Sequence, residues 1–317
     1  MNSKRIVFMG TPLFAATVLE GLLNANYNIV GVVTQTDKKV GRKQQLSYSK
    51  VKEVAIAHGI DVFQPERIKD DYAFVIDKKP DLIITSAYGQ FIPKALLDCP
   101  PYGCINTHAS LLPRYRGGAP IQRSIINGEK ESGVSIIYMT EKMDEGDILL
   151  QKALPIAIDD TNETLFEKLS DLAKDMLLEL LPDLFAGNIH PVAQNNNEAS
   201  YAYNLKKEEE FISFDDDVRR VYDHIRGLLK NPGAYGILDG KKFKFMEVGY
   251  QACDKELMPG TLASNKDNPV LIACRNGYII VKRIQPEGKK EMDSKSFYNG
   301  QGRNLVGHQF ERKIANG

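Results

Sequence analysis

Several features are scarce in this sequence, and each scarcity argues against a class of protein. Four cysteines are scattered along 317 residues without Cys-x-x-Cys or zinc-finger spacing, so they are expected to serve packing. No apolar run reaches the length of a membrane span. The run that follows Lys4 and Arg5, Ile6–Met9, is too short for a signal peptide. We therefore expect a cytoplasmic protein.

The sequence also has no excess of charge. Lys+Arg and Asp+Glu both number 41, so the net charge gives no argument for nucleic acid as a partner. Such an argument must depend on where the charges lie. Hydrophobic residues make up 43% and charged residues 26%, as in ordinary globular proteins, and the length predicts two domains.

Residues 1–188 carry the pattern of an α/β domain. Arg5–Met9 is predicted as a buried strand, Phe14–Leu23 as a helix and Ile29–Val33 as the next strand. This opening predicts a Rossmann-like, mostly parallel sheet. The turn at Gly10 has one glycine where a dinucleotide site would have Gly-x-Gly-x-x-Gly, which disfavours NAD.

A long helix and a linker are predicted to follow. The helix, over 161–181, is expected to begin with a capping box of Asp160 and Glu163 and to end at Pro182. The polar stretch 189–204 is predicted as a linker between domains.

In residues 205–317 the spacing of hydrophobic residues changes to that of alternating segments. Asp239-Gly240 and Asn276-Gly277 favour type I′ hairpin turns, so this domain is predicted as a small, mostly antiparallel β-barrel (OB-like). Two basic clusters suit an RNA-binding face, although solvated lysines explain them equally well. They consist of Lys241, Lys242, Lys244, and of Lys282, Arg283, Lys289, Lys290.

A basic segment interrupts the first domain between Thr34 and Lys52. It is long for a connection within a compact domain and contains one acid, Asp37. It is either a solvated loop or an arm that contacts phosphates. Its basic residues are Lys38, Lys39, Arg42, Lys43, Lys50 and Lys52.

A polar pair marks the candidate site. Asn106 and His108 follow each other at a spacing of two in a predicted strand, so their side chains point the same way. An acidic turn after the next strand carries Asp144. If the two strands are parallel, their ends meet at one edge of the sheet, and Asp144 reaches His108 there.

An amide, an imidazole and a carboxylate around one cavity can transfer an acyl group to an amine. The amide donates to the oxyanion, while the imidazole and carboxylate move the proton. Ser110 has the chemistry of a nucleophile, but it is interpreted as a hydrogen-bonding loop residue.

These motifs resemble the formyltransferases that use 10-formyltetrahydrofolate, and the similarity extends over the whole chain. The matching segments in the first domain are Met9-Gly10-Thr11-Pro12, Ala87-Tyr88-Gly89, Asn106-Thr107-His108, Ser110-Leu111-Leu112-Pro113, Arg116-Gly117, Gly118–Gln122 and Asp144. Gly288-Lys289-Lys290 matches in the second domain.

The resemblance implies transfer of a formyl group from 10-formyltetrahydrofolate to the α-amine of methionine on initiator tRNA, without a metal. It implies a catalytic set of Asn106, His108 and Asp144. The folate site is implied to be lined by Ser110, Leu111, Leu112 and Pro113. For tRNA binding we expect Arg42, with Lys39 and Lys43, and we expect a monomer.

Two other reactions and one non-catalytic role are alternatives. The acceptor can instead be an amino-sugar nucleotide, against which the basic segment and the second domain argue. A hydrolase releasing formate is expected to carry a regulatory domain before the first strand, which here begins at Arg5. A binding module without activity is disfavoured because all three catalytic residues are present.

One departure from the family lies in the second domain. Family members usually carry Asn-Pro-Trp-Pro after Ile-Arg, whereas here Ile225-Arg226 is followed by Gly-Leu-Leu-Lys-Asn-Pro-Gly, and the sequence has no tryptophan. The packing of this segment is therefore open.

Overall fold

A computed structural model describes residues 2–40, 45–254 and 257–312 of the chain. By packing, the chain divides into two compact units. One comprises residues up to 120 together with 131–155 and 166–203, and the other comprises 121–130, 156–165 and the residues from 204 onward. The domain boundaries expected after residues 188 and 204 stay a prediction.

The helices and strands have the following bounds. The strands of the first unit are β1 (Asn2–Gly10), β2 (Tyr27–Val33), β3 (Lys38–Val40), β4 (Gln45–Ser47), β5 (Val62–Phe63), β6 (Leu82–Ser86), β7 (Cys104–His108), β8 (Glu131–Tyr138) and β9 (Ile148–Pro155). Those of the second unit are β10 (Ala234–Leu238), β11 (Lys241–Ala252), β12 (Leu262–Ala263), β13 (Leu271–Cys274), β14 (Gly277–Pro286) and β15 (Met292–Asp293). The helices are α1 (Leu13–Asn24), α2 (Lys50–Ala57), α3 (Ala73–Asp77), α4 (Lys94–Leu97), α5 (Pro120–Ile126), α6 (Asn162–Ala186), α7 (Val218–Leu228) and α8 (Ser294–Gly300).

The first sheet has the order β5-β2-β1-β6-β7-β8-β9. In this order the strands from β5 through β7 run parallel to one another, which confirms the mostly parallel α/β sheet. β8 runs antiparallel to β7, and β9 runs antiparallel to β8. On the interior strand β1, the four apolar side chains from Ile6 to Met9 are all fully buried. The sheet thereby holds the carboxyl ends of β1, β6 and β7 in fixed positions.

Helix α6 differs from its predicted form at both ends. Thr161 and Thr164 exchange hydrogen bonds between hydroxyl and backbone N–H, so they form the capping pair predicted for Asp160 and Glu163. The helix passes through Pro182 and continues to Ala186. Burial of the leucines on both sides of Pro182 outweighs the single backbone hydrogen bond that a proline removes.

The second unit contains an antiparallel sheet of the order β10-β11-β14-β13-β12, and β15 pairs with β14. The segment 307–311 hydrogen-bonds to both ends of this order: Leu262 N–H donates to His308 O, and Glu311 N–H donates to Ile237 O. Phe310, from the same segment, is buried among the rings of Phe214, Phe243 and Phe245. The sheet is therefore closed, as expected for a barrel.

Leucines fill the place of the family's tryptophan segment. Leu228 and Leu229 are buried in the core of the second unit, and Lys230 makes the turn with φ of 64°. Asn231 O accepts a hydrogen bond of 2.7 Å from the side chain of Asn162. The segment after Arg226 is thus a packed turn.

Candidate active site

The site is built on β7, the strand predicted to carry the polar pair. Asn106 and His108 lie two residues apart, so their side chains project from the same face of the sheet. Oδ1 of Asn106 accepts a hydrogen bond of 2.8 Å from the Thr85 hydroxyl on β6. In this orientation of the amide, the Nδ2 hydrogens are the donors that face the site.

The tautomer of His108 follows from its contacts. The ring is buried, and its Nε2 lies 2.9 Å from the carbonyl oxygen of Tyr115. Because a carbonyl oxygen only accepts hydrogen bonds, Nε2 carries the hydrogen. Nδ1 therefore holds the lone pair of the neutral ring, 3.6 Å from Oδ2 of Asp144. A proton taken up at Nδ1 forms an ion pair with that carboxylate, so the two groups are a proton-accepting pair.

Asp144 reaches His108 by another path than the sequence predicts. Strand β8 is antiparallel to β7 and places Ser135, not its carboxyl end, opposite His108. The prediction that the two strand ends meet at one edge is therefore wrong. Instead, the loop after β8 folds back over the face of β7 that carries the polar pair, and it lines a cavity together with Asn106.

Close backbone contacts fix the Asp144 carboxylate. Its Oδ2 accepts a hydrogen bond of 2.8 Å from Gly117 N–H, and Asp144 itself has a left-handed backbone with φ of 53°. Gly117 has φ of 118°, and a Cβ there would lie 2.9 Å from the carbonyl oxygen of Ala202. Position 117 of the Arg116-Gly117 motif therefore requires glycine, both for its backbone conformation and for its close approach to the segment around Ala202.

Gln194, in the predicted linker, supports the same loop. Its Nε2 donates to Asp144 O at 2.8 Å and to Gly146 O at 2.7 Å. Its Oε1 accepts from Nη2 of Arg116 at 2.7 Å. Arg116 is 1% exposed, and its Nη1 lies 3.3 Å from Glu145 of the loop. These bonds hold the loop that carries Asp144 from both sides.

Sequence reasoning missed the role of Gln194. The run of amides from Gln194 to Asn197 was interpreted as linker composition. A buried arginine needs several acceptors, so the Arg116-Gly117 motif was the available signal that such amides are required nearby.

The cavity beside Asn106 has a volume of about 20 Å³. This is room for a group the size of one water molecule, such as a carbonyl oxygen. Its lining residues are Asn106, Ile137, Met139, Thr140, Lys142, Asp144, Glu145 and Gly146.

The predicted folate loop is held by its own hydrogen bonds. The Ser110 hydroxyl donates to Arg114 O at 2.7 Å, in agreement with its interpretation as a loop residue. Leu112 is buried, and its N–H donates to the Ser135 hydroxyl. Leu111 and Pro113 are partly exposed. The assignment of these four residues to a folate site stays a prediction.

The basic segment forms a hairpin, β3–β4, whose base is anchored. Lys39 is exposed on β3, whereas Arg42 and Lys43 lie outside the described residues. Lys52 pairs with Asp37 at 2.6 Å. Burial opposes ionisation of Asp37, but hydrogen bonds from Lys52 and Gln64 outweigh it and lower the pKa of this carboxyl. Lys52 therefore supports the arm rather than belonging to its exposed surface.

Two further features concern cofactors and membranes. Among the described residues, no group of three or more His, Cys, Asp or Glu side chains is arranged to hold a metal ion. No helix in the described part of the chain is both long and apolar enough to cross a membrane.

Fold, site and family models agree on the class of protein. The model described as formyl transferase matches residues 4–181, and the one described as formyl transferase, C-terminal domain, matches residues 204–302. The chain belongs to the formyl transferase family.

Within this family the chain is similar to methionyl-tRNA formyltransferases. It is 47% identical over 300 residues to that of Lactiplantibacillus plantarum, covering 93% of this chain and 95% of the relative. It is 45% identical over 310 residues to that of Streptococcus thermophilus, covering 96% and 99%.

Solved structures share the fold at lower identity. An N-formyltransferase from Helicobacter canadensis, in complex with folinic acid and dTDP-3-aminofucose, has a TM-score of 0.65 and 20% identity; the match covers 90% of this chain and 100% of that one. HypX from Aquifex aeolicus, in complex with tetrahydrofolic acid, has a TM-score of 0.66 and 18% identity, covering 96% of this chain and 48% of that one.

Proposed function

We propose that this protein transfers the formyl group of 10-formyltetrahydrofolate to the α-amine of methionyl initiator tRNA. The observation that carries the proposal is the His108–Asp144 pair beside the Asn106 amide, in a chain 45% or more identical to two methionyl-tRNA formyltransferases over nearly its full length. The substrates are inferred from the relatives, and the chemistry is inferred from the side chains of the site.

The transfer needs one bond to form and one to break. The amine nitrogen attacks the formyl carbon, the carbonyl oxygen becomes an oxyanion, and the bond between that carbon and the folate nitrogen then breaks. Nδ2 of Asn106 donates to the oxyanion, because Thr85 already occupies the acceptor end of the amide. One such donor is worth about 2.7 to 4 kcal/mol.

The proton moves through the histidine and the carboxylate. The attacking amine loses a proton to Nδ1 of His108, whose charge is balanced by Asp144, and the departing folate nitrogen receives one. The bond from Nε2 to Tyr115 O keeps Nδ1 as the basic nitrogen. No covalent enzyme intermediate and no metal take part in these steps.

The donor site of this proposal lies along the loop from Ser110 to Pro113. Leu111 and Pro113 are the partly exposed members and are available to contact a folate. Ser110 and Leu112 support the loop from inside. The small cavity beside Asn106 has room for the formyl oxygen.

The acceptor is bound by the basic arm, with Lys39, Arg42 and Lys43 as its phosphate contacts. An exposed cationic segment can follow a single-stranded RNA end. Each neutralised phosphate contributes to the salt dependence of binding, so Lys39→Ala is expected to flatten the salt slope by about 0.7 to 0.9 units. An unchanged slope argues against a phosphate contact at Lys39.

Because initiator tRNA is used by cytoplasmic ribosomes, we propose a cytoplasmic enzyme, acting as a monomer.

The test is a formyl-transfer assay with 10-formyltetrahydrofolate and four acceptors: initiator Met-tRNA, elongator Met-tRNA, an amino-sugar nucleotide and water. Preferred formylation of the initiator is expected. Preferred formylation of the sugar nucleotide, or release of formate alone, would overturn the proposed acceptor. Absence of folate turnover with every acceptor would overturn the catalytic assignment as well.

A further inference from the structure

Two exposed tyrosine rings lie on the segment that pairs with the Arg116-Gly117 motif. Tyr201 is 47% and Tyr203 63% exposed, while Ala202 between them is fully buried. This alternation is that of an extended segment with one side facing outward. The two ring planes are 7° apart and their centroids are separated by 5.6 Å, so the rings form an ordered, offset stack.

The segment that carries the rings is fixed to the Arg116-Gly117 motif. Tyr201 pairs with Arg116 in a parallel bridge. Arg116 N–H donates to Ser200 O at 2.8 Å, and Ala202 N–H donates to Arg116 O at 2.7 Å. Ala119 N–H donates to Ala202 O at 3.0 Å. The backbone of the segment that carries the rings is therefore held in place by hydrogen bonds.

The same motif holds the catalytic carboxylate. Gly117, the residue after Arg116, donates its N–H to Oδ2 of Asp144. Only the Arg116 carbonyl and the Gly117 amide thus separate the backbone of Ala202 from the Asp144 carboxylate. A group stacked on the tyrosines is linked through this short path to the place where the amine reacts.

We infer that Tyr201 and Tyr203 form a stacking site for an unpaired base at the 3′ end of the acceptor RNA. The inference rests on the proposed function, since an aminoacyl-tRNA carries its amine one ester bond from its terminal adenosine. The nucleoside next to the amine must be held close to Asp144. Single-stranded bases are bound in proteins by aromatic side chains, and a preordered pair of rings lowers the entropy lost on binding.

The exposure of the pair favours a base over the other substrates. A stacked base needs ring faces and no hydrogen bond, which exposed tyrosines supply. The rings of a folate can stack in the same way, and the separate KM measurements below distinguish the two. The methionine side chain is aliphatic and gains nothing from two parallel rings. The pair thus serves the RNA part of the acceptor.

The test compares steady-state kinetics of Tyr201→Leu, Tyr203→Leu and the double variant with those of the wild-type chain. Leucine keeps apolar bulk but removes the ring face. We expect KM for Met-tRNA to rise about tenfold in the double variant, since stacking of one base contributes on this scale. The kcat and the KM for 10-formyltetrahydrofolate stay unchanged.

Two controls separate stacking from other effects. Tyr201→Phe and Tyr203→Phe keep the rings and remove the hydroxyls, so both are expected to retain the wild-type KM. Equal melting temperatures for all variants exclude unfolding as the cause. A Met-tRNA with 2-aminopurine in place of its terminal adenine reports stacking directly, and its fluorescence is expected to be quenched by the wild-type chain and not by the double variant.

The outcomes distinguish this inference from the proposed function. If the wild-type chain does not formylate Met-tRNA, the function itself is wrong. If it does, but the double variant shows the same KM and the same quenching, the stacking site is wrong. A rise in KM for the folate instead assigns the rings to the donor and likewise overturns the inference.

Discussion

Among the described residues, each unit contains one buried arginine, and the two have different partners. Arg116 and Arg226 are both 1% exposed. Arg116 bonds to Gln194 and Asn196 and lies against Glu145 in the loop that carries Asp144. Arg226 pairs with Asp223 on its own helix and donates to the carbonyl oxygens of residues 157 and 160.

The two arginines differ in the parts of the structure to which their hydrogen-bond partners belong. Both arginines join segments distant in sequence, but the partners of Arg116 lead to Asp144 within one further hydrogen bond. The partners of Arg226 lead to the start of α6, and among the described residues its Nη2 has no hydrogen-bond partner. Of two equally buried cations, one therefore contacts the loop that carries Asp144 and the other joins segments of the second unit, and substitutions separate these two roles.

The largest effect on stability is expected from Arg226→Leu. The change leaves two backbone carbonyls without their donor and removes one partner of Asp223, so the free energy of unfolding falls by about 3 to 5 kcal/mol. Denaturant unfolding measures this. Arg220→Leu is the matched control on the same helix: Arg220 is 77% exposed at its side chain, and its loss changes stability by less than about 0.5 kcal/mol. Equal effects of the two variants would contradict the structural role of Arg226.

The next largest effect is on turnover and concerns Asn106→Asp. The aspartate keeps an oxygen for the Thr85 hydroxyl but replaces the Nδ2 donor by a second, negatively charged oxygen, so kcat falls by at least about 100-fold to 1000-fold. Steady-state kinetics with saturating Met-tRNA measure kcat. A variant that keeps its kcat and changes only KM would show that Asn106 binds substrate without stabilising the oxyanion.

An intermediate effect is expected from Gln194→Glu. The glutamate still accepts from Arg116 but cannot donate to the carbonyls of Asp144 and Gly146, so the loop is displaced and kcat falls about tenfold. Steady-state kinetics with saturating Met-tRNA measure this fall in kcat.

The neighbouring Asn197→Ala is the control for Gln194, since the Asn197 side chain is exposed on the same segment. We expect it to keep the wild-type kcat. If Gln194→Glu lowers stability and leaves kcat unchanged, the Arg116 network is structural, and the contrast with Arg226 disappears.

The smallest effect is expected from Tyr88→Phe. Within the described part of the chain the buried Tyr88 hydroxyl has no hydrogen-bond partner, and burial raises the pKa of Tyr88 to about 12. Removal of an unpaired polar group leaves the free energy of unfolding unchanged or raises it by less than about 1 kcal/mol. Thermal unfolding tests this, with Tyr88→Ala as a control that removes the ring and costs about 3 kcal/mol or more. A loss of stability in Tyr88→Phe would reveal a hidden partner.

The juxtaposition of the three proposed catalytic side chains is partly predictable because two of them belong to a local pattern. Asn106 and His108 share a strand, and a spacing of two is sufficient to place them on one face. Asp144 does lie beside His108, as the sequence predicts, but the expected parallel neighbour is absent. The direction of β8 depends on tertiary pairing with β7, which no local pattern in the sequence indicates.

The supporting residues could not be predicted for the same reason. Gln194 lies 50 residues from Asp144 in the sequence, and its polar neighbours are typical of a linker. The passage of α6 through Pro182 likewise depends on leucines that become buried only in the folded chain. In both places tertiary contacts outweigh local preference.

The closing segment 307–311 has a consequence for association between molecules. An open antiparallel sheet presents unpaired N–H and C=O groups along its outer strands, to which another polypeptide can add. Here a single segment covers parts of both β10 and β12, and Phe310 anchors it in the core. Loss of that anchor would expose the edges of β10 and β12 at once. This short segment therefore protects the second unit against aggregation as well as completing its fold.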